Sequence, residues 1–351
     1  MKGKYLRKKK RNPLMTVLTI ALSVVLLILL AGGIYLAVLM NQVNYTPEQE
    51  ETLSSSEIEE LLKQEPNETV DASTPTIKVE DIPMETDPVE EIVTQDVMTI
   101  LLIGQDRRPG EIRARSDVMM LCTINPNTKT LTLTSLMRDL YVTIPGYKSN
   151  RINVPYLLGG MDLLKKTVKH NFGITVDGCI EVDFNGFMDV VELVGGVDME
   201  LTQVEADHLN ANETFYGFPE ESWNLKAGKN HLDAKQALSY SRIRKVGNSD
   251  FGRTERQRKV ITAMLAQLKT LSVSQLNSLL MTGASLVTTD MSSTELLSTA
   301  MSMIPMLSEL QVNSLQIPAD GTYYDANIEG VGLVLVGDMT KNRDLLAALY
   351  Q

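Results

Sequence analysis

The sequence predicts an α/β fold: a layered α-β-α arrangement with a central mixed sheet, preceded by a single transmembrane helix. Three observations carry this. Met98–Gly104 (MTILLIG) and Val118–Ile124 (VMMLCTI) are near-continuous apolar runs, the pattern of strands buried on both faces. Segments with helical spacing alternate with further strand-like runs, as in a sheet covered on both sides. Asn12–Val43 carries no charge, and its apolar part runs from Leu14 to Met40.

That apolar run is 27 residues, roughly 40 Å as a helix, enough to cross a hydrocarbon core of about 30 Å with tilt. It exceeds a signal-peptide core of about 7–15 residues and no A-x-A site follows, so an uncleaved anchor is expected. Seven basic residues between Lys2 and Arg11 precede it. By the positive-inside rule the N-terminus is cytoplasmic and the rest is outside, which places the protein in the cell membrane as a single-pass chain. Residues 1–11 form a basic tail and residues 12–43 the anchor. Nucleic acid is thereby disfavoured as a partner, and so is ATP-dependent chemistry.

Residues 41–98 hold 16 acids and two lysines, with little apolar periodicity. Such a composition buries too little apolar surface to offset chain entropy, so a disordered acidic stalk is expected over 44–97. The formal net charge is −11; the tail contributes +7 and the stalk −14, which leaves −4 for residues 99–351. One core suffices for that length. Residues 98–274 are read as its main part and 275–351 as a C-terminal part packed on the same domain, with two helices, a strand pair and a final short helix.

Within the domain, Thr130–Thr134 alternates after a turn at Asn125-Pro126-Asn127. Met161–His170 is helix-like and Cys179–Phe184 strand-like. Phe187–Val194 has helical spacing and stops at Gly195-Gly196. Asp233–Tyr240 reads as a short helix leading into a strand with Arg242 and Arg244. Thr254–Leu271 is amphipathic, with Val260, Ile261, Met264, Leu265, Leu268 and Leu271 on one face. Cys122 and Cys179 read either as an exported disulfide or as two buried thiols. Asn44, Asn67 and Asn212 open N-x-T sequons, which matter only in a glycosylating host.

Several chemistries are absent. His170, His208 and His231 have no metal-binding spacing. No G-x-S-x-G elbow occurs. Gly160–Thr167 (GMDLLKKT) misses a P-loop because Lys165 replaces its second glycine.

What remains is acids and arginines at strand ends. Ser241–Lys259 (SRIRKVGNSDFGRTERQRK) holds seven basic residues and two acids. Planar guanidinium forks suit phosphate and carboxylate oxygens, so an anion site is expected there. Arg242 and Arg244, two apart on a strand, would share a face while Ile243 points inward; a solvated edge strand reads the same way. Arg138 ends another strand and reaches the same edge. Asp250, Gly252 and Arg253 form the turn before a helix. Thr254 and Gln257 fit a capping box, and Arg253 and Gln257 lie one turn apart where N–H groups favour anions. Arg256 and Arg258 are expected on solvated faces. Asp106 follows the first buried strand and Asp117 precedes the second; together they read as a magnesium site beside phosphate, or as strand-end acids paired with Arg107, Arg108, Arg113 or Arg115.

The strings ILLIGQDRR, RARSDVMML, SLMRDLYVTIPG, RINVPYLLGG, KKTV, VDFNGFMDVVELVGGV, LDAKQALSYSRIR and DFGRTERQRKV, in this order over about residues 99–270, resemble the LytR-CpsA-Psr family of cell-wall ligases. The resemblance implies transfer of an anionic glycopolymer (wall teichoic acid, capsular or related polysaccharide) from a polyprenyl-pyrophosphate carrier in the membrane lipid to peptidoglycan. Asp106 and Asp117 would hold magnesium, or manganese in its place. Arg115, Arg138, Arg242, Arg244 and Arg253, with Gln257 and Lys166, would bind the pyrophosphate, and Asp250 would orient the arginines. Met137 stands where the family usually has proline, Val118 replaces a common threonine, and Pro155 and Ala234 replace commoner small residues; none removes a charged site residue. A non-catalytic receptor for lipid-linked glycan and a polyprenyl-pyrophosphate pyrophosphatase are the rival readings.

Overall fold

In the computed structural model the described residues are 44–45, 74–82, 87–92, 96–105, 116–212, 217–218, 223–247, 249–272, 275–276, 279, 282–283 and 285–351. The expected tail and anchor lie outside them, and no helix among the described residues is long and apolar enough to cross a membrane. Val43–Gln351 forms one compact unit.

Its strands, in chain order, are β1 (Asn44–Tyr45), β2 (Thr76–Ile77), β3 (Met98–Gln105), β4 (Ser116–Asn125), β5 (Thr130–Leu136), β6 (Tyr141–Val142), β7 (Asn150–Arg151), β8 (Gly178–Val182), β9 (Val197–Leu201), β10 (Gly228–Leu232), β11 (Thr288–Thr289), β12 (Gln311–Ile317), β13 (Tyr323–Ile328) and β14 (Gly332–Gly337). The helices are α1 (Val154–Phe172), α2 (Phe184–Leu193), α3 (Gln203–Asn210), α4 (Ala234–Ser241), α5 (Ser249–Leu268), α6 (Ser293–Met303) and α7 (Met339–Ala347).

The central sheet has the order β1-β11-β8-β3-β4-β5-β12. It is mixed, as expected: β3 runs parallel to β8 and antiparallel to β4, which is antiparallel to β5, and β12 lies parallel to β5. Alternation along the strands divides two cores. Leu101, Ile103, Met119, Leu121 and Leu136 pack with Leu164, Val168 and Phe172 of α1 and Leu346 of α7. Ile100, Met120, Cys122, Leu131 and Leu133 pack on the other face with Ile261 and Leu265 of α5 and Leu296 and Met303 of α6. Cys122 and Cys179 belong to these opposite cores and are free buried thiols, so the disulfide reading falls. Burial pushes the Cys122 thiol pKa up to about 12.

A third core joins α2, α3, α4 and the β9–β10 ribbon to the other side of α5 through Val260 and Met264. The apolar residues of α5 therefore serve two partners, not one face. The C-terminal part also does more than pack on a finished domain, because β12 completes the sheet edge and β13–β14 with β2 forms a second small sheet.

The expectation of a stalk without structure needs correction for its described residues. Thr76–Ile77 pairs with β13, Ile82 is buried against β13 and β14, and the Ile92 N–H donates to the Gly173 carbonyl at 2.8 Å. Isolated isoleucines supply these anchors, and the acidic average of the segment concealed them.

Topology gathers the chain ends that matter. β3 and β5 end, and β4 begins, at one edge: Gln105 pairs with Ser116, and Arg138 follows two residues after β5. Asp117 is the second residue of β4, so the end of β3, the start of β4 and the turn after β5 share one rim.

Candidate anion-binding site

At this rim Arg138 is the hub. Its Nη1 donates to Asp117 Oδ1 at 3.2 Å and its Nε to Asp139 Oδ2 at 3.2 Å, while Asp250 Oδ2 stands 3.4 Å from Nε. Asp250, in the first turn of α5, also faces Arg244 at 3.6 Å and Arg253 at 3.4 Å. Arg151 joins from β7, with Nε 3.7 Å from Asp139 and donating to the Leu333 carbonyl at 2.8 Å. Strand rim, helix start and the post-α4 loop thus converge on two aspartates, Asp139 and Asp250.

The arginines are unequally balanced. Burial opposes the charge of Arg138, yet Asp139, Asp117 and Asp250 outweigh it and raise its pKa. Arg253 is 4% exposed. Burial pushes its pKa down to about 10 against the pull of Asp250, with Arg244 and Arg138 adding to the fall. Among the described residues its buried Nε has no hydrogen-bond partner, and neither has Gln257 Oε1 one turn along. A buried guanidinium short of negative charge is a place where an added anion gains most.

Arg242 lies beside the cluster with its guanidinium 4.6 Å from the Phe184 ring centre, a cation–π contact. No strand runs through Arg242 and Arg244. Arg242 is the C-cap of α4, and Ile243 is buried in the loop beyond it. A single inward apolar residue between two arginines reads as a strand in sequence; here it plugs a loop.

The turn expected at Asp250–Arg253 is already helix, since α5 begins at Ser249. Thr254 therefore does not cap: its hydroxyl donates to the Phe251 carbonyl at 2.9 Å and meets Gln316 Oε1 at 3.0 Å. Arg256 and Arg258, expected in solvent, are 6% and 8% exposed. Arg258 crosses to Ser135 and Ser314 at 2.7 and 2.6 Å, and Arg256 pairs with Glu205 at 2.8 Å. Charge alone gave no hint of this, because their partners lie far away in sequence. Lys166 stands apart from the cluster, paired with Asp162 at 2.5 Å on its own helix and 62% exposed. Lys165 pairs with Asp290 at 2.5 Å. Asp106 and Arg115 lie outside the described residues. Asp139 and Arg151 carried no sequence signal beyond standing in motif strings.

Among the described residues no group of three or more His, Cys, Asp or Glu is arranged to hold a metal. Asp117, 39% exposed with one oxygen on Arg138, is a hard oxygen donor at the rim. This fits magnesium's habit of taking one or two carboxylates plus substrate phosphate.

The LytR_cpsA_psr family model matches residues 49–343. This chain belongs to that family. A polyisoprenyl-teichoic acid–peptidoglycan teichoic acid transferase TagU from Oceanobacillus iheyensis is 36% identical over 185 residues, covering 51% of this chain and 53% of that relative. The chain thus spans about half the length of this relative. A solved structure of TagT bound to LIIa-WTA superposes with a TM-score of 0.60 at 27% identity, over 77% of this chain and 96% of that one. A second, the LytR-CPS2A-psr family protein YwtF (TagT) with bound octaprenyl pyrophosphate lipid, gives 0.56 at 26% identity, over 77% and 98%. This family member therefore resembles one protein solved with octaprenyl pyrophosphate lipid and another solved with LIIa-WTA.

Proposed function

We propose that this chain transfers an anionic glycopolymer of the teichoic-acid class from a polyprenyl-pyrophosphate carrier to a hydroxyl of peptidoglycan. The product is a phosphodiester, and polyprenyl phosphate is released at the outer face of the membrane. One observation carries the reading: Arg253, buried and short of negative charge, lies with Arg244 around Asp250 at the sheet rim. The names of the relatives and the octaprenyl pyrophosphate of the YwtF structure support the same ligand class.

In the proposed reaction the acceptor oxygen bonds to the phosphorus that carries the glycan. The bond from that phosphorus to the bridging oxygen breaks, polyprenyl phosphate leaves with the electron pair, and the acceptor's hydroxyl proton passes to the departing phosphate or to solvent. Such transfer needs positioning and charge stabilisation more than covalent help. Arg253 and Arg244 hold nonbridging oxygens, Gln257 adds an amide contact, and Arg242 flanks them. Arg138, saturated with carboxylates, orients Asp250 and Asp117. Asp117, with Asp106, would hold magnesium or manganese, which when bound supplies positive charge at the phosphate oxygens. An anchor over residues 12–43 would keep the site where lipid-linked donors lie.

Full-length protein incubated with lipid-pyrophosphate-linked glycan, peptidoglycan oligomers and magnesium tests this. The expected outcome is polyprenyl phosphate released in step with glycan attached to peptidoglycan. Release without attachment identifies a pyrophosphatase, and binding without release a receptor; either result refutes the transferase.

A further inference from the structure

We propose that Arg256 and Glu205 form a positioning pair for the anion site, fixing the loop that carries Arg242 and Arg244; this rests on the reading of that site as a pyrophosphate cradle. Both residues are 6% exposed, and they meet through Arg256 Nε and Glu205 Oε1 at 2.8 Å. The rest of the guanidinium is spent on backbone. Nη2 donates to the Val246 carbonyl at 2.8 Å and Nη1 to the Ile243 carbonyl at 3.3 Å. These carbonyls flank Arg244, one residue before it and two after.

Glu205 is itself immobilised. It closes a capping box at the start of α3, accepting from the Thr202 N–H at 3.0 Å and the Thr202 hydroxyl at 2.9 Å. A continuous chain of directed contacts therefore runs from α3, through a planar fork, to the loop backbone. Gly252 leaves it room: a Cβ there would lie 3.1 Å from Arg256 Nη1, whereas one on Gly247, at φ +76°, would make only an ordinary 3.6 Å contact with Nη2.

The loop needs such a fixture. The Arg244 side chain is 45% exposed and faces Asp250 at 3.6 Å, so its direction follows the backbone beneath it. A buried ion pair is a poor source of stability, since apolar side chains of similar volume do as well or better. Its use here is geometric: one guanidinium holds two carbonyls at set places relative to α5, the helix that also carries Asp250, Arg253 and Gln257. Arg256 touches no substrate in this role. It acts through Arg244.

The test is binding of octaprenyl pyrophosphate to the full-length protein in detergent, in a cycle of Arg256→Lys and Arg244→Ala. Lysine keeps the charge but cannot hold two carbonyls and a carboxylate at once. We expect Arg256→Lys to weaken binding about 10-fold. In the Arg244→Ala background the same change should alter it by less than about 2-fold. Equal losses in both backgrounds, accompanied by a lower melting temperature, mean a purely structural pair and overturn the proposal. Should Arg256→Lys fail to fold, Glu205→Gln, which keeps an acceptor oxygen, must show the same dependence on Arg244. Wild-type protein that does not bind octaprenyl pyrophosphate overturns the reading of the site and the pair's role together. Wild-type binding with an unaltered Arg256→Lys overturns only the pair.

Discussion

Arg138 and Arg253 sit within one cluster and differ in what surrounds them. Arg138 has three carboxylates and a raised pKa; Arg253 has one in ion-pair contact, Asp250, with a further pull from Asp117, and burial still lowers its pKa. The first is a scaffold and the second is the vacancy in the charge pattern. Asp117 belongs to both accounts, as a partner of Arg138 and as an oxygen donor. Asp117→Asn keeps its shape and removes its charge. We expect magnesium-dependent turnover to fall by about 100-fold or more with the melting temperature little changed; unaltered turnover in a magnesium titration would remove Asp117 from the proposed metal site. Arg138, Asp117, Asp250 and Arg253 were legible because each stands beside a strand end or a helix start, and Arg244 because it belongs to the basic run Ser241–Lys259. The sequence did not reveal Asp139 or Arg151, whose meeting depends on β7 pairing with β6 beside the turn after β5, nor the burial of Arg256 and Arg258, whose partners lie 51 and 123 residues away.

At the scale of elements, α1 and α5 show what periodicity can and cannot reveal. The buried stripe of α5 on the sheet reads Thr254, Arg258, Ile261, Leu265, so its upper half is polar and locks into hydroxyl and amide groups of β5 and β12. A hydrophobic pattern finds the lower half only. Helix α1 was read from Met161, but it begins at Val154 and is broken by Gly159 and Gly160, the latter at φ +58° and ψ −150°. Only glycine occupies that conformation without strain. Gly160→Ala should cost about 1–3 kcal/mol of stability, seen as a lower urea midpoint with an unchanged slope. An unchanged midpoint would mean that the kink relaxes freely. The acid side of stability has an element-scale source as well. Burial works to raise the Glu205 pKa, but hydrogen bonds from Thr202 and Arg256 overcome it and the net shift is downward. Its contribution is present above the unfolded carboxylate pKa, about 4.3, and is lost as pH falls through the lower folded value. Glu205→Gln should therefore flatten the acid limb of the stability curve.

For the whole molecule, the mixed α/β architecture was readable because β3 and β4 are apolar on both faces and helices follow in alternation. The C-terminal boundary was not, since β12 is a parallel edge strand of mixed burial and its partner β5 lies about 180 residues earlier. A chain ending at residue 274 lacks β11 and β12, the contacts of Gln316 and Ser314 with α5, and the β13–β14 hairpin behind Asp139. It should show no cooperative thermal transition by circular dichroism; a sharp transition would make residues 275–351 an accessory part. In the proposed reading the rim cluster holds a lipid pyrophosphate through an under-balanced Arg253. Phosphorus NMR of octaprenyl pyrophosphate with full-length wild-type protein and with Arg253→Met separates the outcomes. Wild type should give shifted and broadened pyrophosphate signals and the variant free-ligand signals, with a melting temperature equal or higher because a buried, poorly paired charge has gone. Wild-type-like shifts with Arg253→Met would contradict it.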